Sequence, residues 1–134
     1  MLEEIKRCRV EDKVTLAGLL TSEEVYALFA RASVYVSASL EEGFPNVFIE
    51  AMHFGLPIVS TDVGGCREMV QEGKTGFLVP PGDVDAMAER LRRLGEDHAL
   101  RDAFSTAARE AAKQYDLMTV VEQFIGLYRS LTRN

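Results

Sequence analysis

Short β-branched runs alternate along this chain with stripes of helical period, and that alternation restricts it to a parallel α/β sheet with helical crossovers. Val14-Thr15-Leu16-Ala17 reads as a first strand, closed by Gly18. Thr21-Ser22-Glu23-Glu24 has capping-box form, with the glutamate three residues after the threonine. Behind it Val25, Leu28, Phe29 and Ala32 share one helical face. Residues 34–37 read as a second strand, 56–60 as a third and 76–79 as a fourth, stopped by Pro80-Pro81-Gly82. Between the second and third, residues 45–54 suit a three-turn helix ended by Gly55, and Gly64-Gly65 opens a short helix through Met69 and Val70. Residues 83–131 are helical. Asp83 is the expected N-cap, and apolar stripes follow on Val84, Met87 and Leu91, on Leu100, Phe104 and Ala108, and on Leu117, Val121, Phe124 and Tyr128.

With 134 residues and no repeat or linker, one domain over 1–134 is expected. The composition, 47% apolar and 27% charged, is that of a soluble globular protein, and a net charge of −6 argues against nucleic acid as a partner. Met1-Leu2-Glu3-Glu4 leads into no apolar run, so no signal peptide is expected. The apolar stretch over 47–58 is interrupted by Glu50, His53, Gly55 and Pro57 and is too broken to span a bilayer. Cys8 and Cys66 have neither metal nor redox spacing and read as two reduced thiols.

Ligands of open parallel sheets bind beyond the carboxyl ends of strands, where loops enter helices. The second strand runs into Ala38-Ser39-Leu40-Glu41-Glu42-Gly43-Phe44-Pro45-Asn46 and then a helix. Pro45 suits the first helical turn, so the amides of Asn46, Val47 and Phe48 should point out of the helix start, ready for a diphosphate. Glu50 lies at i+4 from Asn46, where a carboxylate accepts two hydrogen bonds from a vicinal diol such as ribose. Glu42 precedes the helix, and Gly43 allows backbone to approach a ligand. Spacing alone leaves two readings open. These acids are a ligand-binding pair, or they are solvated groups that favour the helix dipole.

The run Ser39-Leu40-Glu41-Glu42-Gly43-Phe44-Pro45-Asn46-Val47-Phe48-Ile49-Glu50-Ala51-Met52 resembles the donor-binding signature of glycosyltransferase family 4, with two glutamates separated by seven residues. The resemblance continues through residues 55–65, Glu68 and Gly76-Phe77-Leu78-Val79. It implies the C-terminal domain of the GT-B fold: a partial Rossmann-like parallel sheet flanked by helices and lacking the first strands. It further implies that Glu50 holds the ribose hydroxyls and that Glu42, the candidate catalytic residue, contacts the transferred sugar. The backbone of Gly43, Phe44, Pro45, Asn46 and Val47 would meet sugar and phosphate. Ser39 would shape the turn, Gly64-Gly65 would keep the neighbouring loop tight, and Glu68 would support. The implied donor is a nucleotide-diphosphate sugar, with retention of anomeric configuration, no cofactor and no metal, because helix dipole and basic residues neutralise the leaving diphosphate.

The chain departs from that pattern in two ways. Ala38 stands where the family usually has proline. The family's N-terminal domain and the Arg/Lys clamp on the diphosphate have no match; Lys6, Arg7 and Arg9 do not fit that motif. Without the two central strands the sheet should have open edges, and the Leu117, Val121, Phe124 and Tyr128 stripe should lack a cover. The expectation is a homodimer or a separate N-terminal transferase domain as partner. The family setting is cytoplasmic, in polysaccharide or glycolipid assembly, with peripheral membrane contact. The alternative is a non-catalytic nucleotide-sugar-binding or oligomerising module.

Overall fold

The computed structural model describes residues 2–131; the outermost ends of the 1–134 expectation lie outside the described residues. Three strands, β1 (Tyr35–Ser37), β2 (Ile58–Thr61) and β3 (Gly76–Val79), form a parallel sheet in the order β1-β2-β3. Tyr35 pairs with Ile58 and Ser37 with Ser60, while Ile58 pairs with Gly76 and Thr61 with Val79. The crossovers carry α3 (Asn46–His53) and the one-turn α4 (Cys66–Met69). Before the sheet come α1 (Leu2–Cys8) and α2 (Ser22–Phe29); after it come α5 (Val84–Glu96), α6 (His98–Ala112) and, beyond a 3-10 turn at Lys113–Tyr115, α7 (Leu117–Leu131).

The strand period of two assigns each residue of β2 to a core. Ile58 joins Phe48, Met52, Cys66, Met69, Ala108 and Ala112 on one face. Its neighbour Val59 joins Phe77, Leu94 and Phe104 on the other. All of β2 is therefore buried, and it is the axis on which both layers pack. A third cluster of Phe29, Ala51 and Leu56 fastens α2 to α3, with the Phe29 ring edge-on to both Tyr35 and Phe54.

Helix ends follow the local chemistry. Thr21 and Glu24 exchange hydrogen bonds as a capping box. Asp83 caps α5 through the Ala86 amide at 2.9 Å. Asp97 ends α5 and caps α6 through the Leu100 amide at 2.9 Å. Gly55 follows α3 at φ +75°, and Arg109 of α6 donates to the carbonyl of Phe54 at 2.9 Å. A methyl at Gly55 would collide with that guanidinium.

The structure corrects three of the expected element assignments and adds a helix at the start. Residues 14–17 form no strand, and Val14 and Leu16 stand exposed. A β-run needs a neighbour to take its backbone hydrogen bonds, and among the described residues none lies alongside. The third strand begins at Ile58 rather than residue 56, because Pro57 has no amide to give to a ladder; its carbonyl accepts from the Tyr35 amide at 2.9 Å. Residues 2–8 are helical, with Glu3 and Glu4 in the first turn and Lys6 and Arg7 in the last, although no residue of α1 is buried. Pro45 is the N-cap of α3 rather than a residue of its first turn. Cys8 is exposed and Cys66 buried, both as free thiols.

Candidate functional site

Because the strands are parallel, the segments after β1, β2 and β3 all leave the same end of the sheet. The first two enclose an open cleft of about 610 Å³ lined by Leu40, Glu41, Glu42, Gly43, Val63 and Gly64. The two loops touch backbone to backbone. Gly65 donates its amide to the Glu42 carbonyl at 3.1 Å. A Cβ at Gly64 would lie 1.8 Å from that carbonyl oxygen, and one at Gly65 would lie 2.0 Å from the carbonyl oxygen of Gly43. Two glycines in succession are what let the 62–65 loop close on the 38–45 loop.

The Glu42 side chain is half-buried and held from behind. The Ser39 hydroxyl donates to its Oε1 at 2.7 Å, and the Ser37 hydroxyl lies 3.3 Å from that of Ser39. The Ser39 carbonyl accepts from the Thr61 hydroxyl at 2.5 Å. Glu42 and Gly43 thus line the cleft, with Ser39 one bond behind. Open space lies where a Cβ of Gly43 would stand.

The other expected residues fall around the start of α3. Pro45 is buried, and its carbonyl accepts from the Phe48 amide at 2.8 Å. That bond corrects the expectation of three open amides. Those of Asn46 and Val47 stand at the helix start without an intrahelical acceptor, and no side chain caps α3. The Val47 side chain packs inward against the core, so any ligand contact it makes is through the backbone, and Asn46 is exposed. Phe44 turns away from the cleft wall, its ring edge-on to Tyr115 at 5.9 Å. Glu50 is half-buried, and the Tyr26 hydroxyl donates to its Oε1 at 3.5 Å.

Tyr35 ties the two acids into one field. Burial is the first cause that raises its hydroxyl above the usual tyrosine range; repulsion from Glu42 and then from Glu50 adds to it. One hydroxyl therefore feels both carboxylates. Tyr115, whose ring meets that of Phe44, is raised by burial and then by Glu68. Of the basic residues near the start, Arg7 pairs with Glu4 on α1 at 2.6 Å. Among the described residues no three His, Cys, Asp or Glu side chains cluster as metal ligands. No helix there is long and apolar enough to cross a membrane.

Sequence reasoning missed Tyr26, Tyr35, Ser37 and Thr61. Tyr26 and Thr61 reach the site across 24 and 22 residues, so no local spacing points to them. Ser37 had a signal. It lies two residues from Ser39, on the same side of an extended run.

Comparison with known proteins assigns this architecture. Residues 1–111 match the family model of the glycosyl transferases group 1. The sulfoquinovosyl transferase SQD2 of Arabidopsis thaliana is 36% identical over 117 residues, covering 85% of this chain and 23% of its own length. The sucrose-phosphate synthase of Thermosynechococcus elongatus superposes with a TM-score of 0.86 at 31% identity, over 97% of this chain and 33% of that one. Anabaena HepE, solved in complex with UDP, superposes with a TM-score of 0.87 at 27% identity, over 96% and 35%. The parallel sheet flanked by helices is the fold of the C-terminal domain of GT-B glycosyltransferases. The chain belongs to the glycosyl transferases group 1 family. It spans about a quarter to a third of the length of these relatives.

Proposed function

We propose that this chain binds the nucleotide-diphosphate sugar for a retaining glycosyl transfer, as the donor half of a two-domain transferase. In this reading Glu50 accepts from the ribose hydroxyls and the open amides of Asn46 and Val47 meet the diphosphate. Glu42 and the backbone from Gly43 to Pro45 meet the sugar, with Glu42 the candidate catalytic carboxylate. What supports this most is that Glu42 lines the cleft after β1 on the loop that enters the uncapped start of α3, the helix that carries Glu50. The binding of UDP and UDP-glucose by the similar Anabaena protein supports it further.

A metal has no part in this proposal. Charge leaving with the diphosphate is taken up by the helix dipole and by basic residues. The acceptor is a polysaccharide or glycolipid assembled at the cytoplasmic face of a membrane, with peripheral contact. A second reading is a non-catalytic nucleotide-sugar-binding or oligomerising module. It is favoured by β1, which pairs only with β2 among the described residues, and by the exposed apolar side chains of α7. That face would be covered by a second copy or by a separate N-terminal transferase domain.

Calorimetric titration with UDP, GDP and ADP tests the reading. One nucleotide should bind, and Glu50→Ala should weaken it about tenfold, or roughly 1.4 kcal/mol. Equal affinity in the variant would remove Glu50 from the site. Transfer or donor hydrolysis by the chain alone separates an enzyme from a binding module.

A further inference from the structure

We infer that Thr61 is a positioning residue for the sugar-side carboxylate, acting on Glu42 through Ser39. The inference rests on the donor-binding reading above. Thr61 is the last residue of β2, is 3% exposed, and belongs to the one strand of the sheet whose residues are all buried. Its hydroxyl donates to the Ser39 carbonyl at 2.5 Å, and the Ser39 hydroxyl donates to Glu42 Oε1 at 2.7 Å. The central strand is thereby linked through two hydrogen bonds to a carboxylate that lines the cleft.

The link matters because little else in the loop fixes that carboxylate. Ala38 has no ring to restrain its backbone, and Gly43 is the least restrained residue type. The Gly65 amide holds the Glu42 main chain, but a main-chain contact leaves the side-chain torsions free. Ser39 sets those torsions, and its own position depends on the bond that Thr61 gives to its carbonyl. Groups that meet a ligand are effective when their orientation is set in advance by such outer contacts. Threonine suits the position because its branched Cβ fits a buried strand while its hydroxyl supplies the donor.

The test compares wild type, Thr61→Val, Thr61→Ser and Ser39→Ala in the full chain. The titrants are UDP against UDP-glucose and GDP against GDP-mannose, and the Glu42 side-chain carboxyl ¹³C resonance is followed in each protein. Thr61→Val keeps the shape and removes the donor. It should weaken the nucleotide sugar about tenfold while leaving the free nucleotide within about twofold. It should also move the Glu42 resonance as Ser39→Ala does. Thr61→Ser, which keeps the hydroxyl, should restore both readouts. Equal weakening of nucleotide and nucleotide sugar would mean that Thr61 serves the fold alone, and the proposal would fall. An unmoved Glu42 resonance in Thr61→Val would also overturn it. If wild type binds neither nucleotide nor nucleotide sugar, the donor-binding reading fails. The resonance then decides the coupling by itself: movement in Thr61→Val with recovery in Thr61→Ser upholds it, and no movement ends it.

Discussion

Tyr35 carries the electrostatic signature of the site in a form that titration reads directly. Its hydroxyl is raised from the usual value of 10.0 by burial and then by Glu42 and Glu50. Below pH 10 the hydroxyl is neutral in folded and unfolded chains alike, and its contribution is intact. As pH climbs past 10 the unfolded chain releases the proton while the folded chain keeps it, so stability falls up through the raised folded value. Urea midpoints between pH 8 and 11 should therefore fall more steeply for wild type than for Tyr35→Phe. Parallel curves would mean that folding does not raise the Tyr35 hydroxyl. At this scale the candidate glutamates could be named from the sequence, since Glu42, Glu50 and the Gly64-Gly65 pair sit in one ordered run. Tyr26, which donates to Glu50, and Thr61, which donates to Ser39, could not: they arrive from other elements, and only the folded backbone brings them near.

Among the elements, Asp97 has two duties within one residue. It closes α5, and its carboxylate accepts from the Leu100 amide at the start of α6. Asp97→Ala should cost about 1 kcal/mol, which for a chain of this size is a melting temperature lower by roughly 3–5 °C. An unchanged melting curve would mean that solvent caps α6 equally well. Most elements could be read from periodicity, because α5 and α6 each bury one stripe in the cores beside β2, while the stripe of α7 stays exposed. The failures have physical causes. The run over 14–17 has strand composition, yet strand formation depends on a neighbour that no local pattern reports. Pro57 moves the start of β2 because it lacks a donor, a rule that was available in the sequence and outweighed by the apolar run. The α1 helix has no apolar stripe and rests on its charge order.

At the scale of the molecule, α7 gathers more of the exposed large apolar side chains than any other element among the described residues, with Leu117 76% and Phe124 56% exposed. If a second copy covers this face, sedimentation should show a dimer. Val121→Lys with Phe124→Lys should then give a monomer of unchanged helix content. A monomeric wild type would leave a separate N-terminal domain as the proposed partner. The Arg109 contact, described above as a helix end, also bears on how the molecule meets an anion. α3 is about 12 Å long, and the partial negative pole at its carboxyl end lies that far behind the open amides. Arg109, brought from α6, places a full positive charge on that rear pole. With the rear pole offset, the front acts on an approaching diphosphate more as a lone positive charge than as one end of a dipole. Its pull therefore fades more slowly with distance, which in the proposed donor-binding reading favours the ligand's approach to a chain of net charge −6.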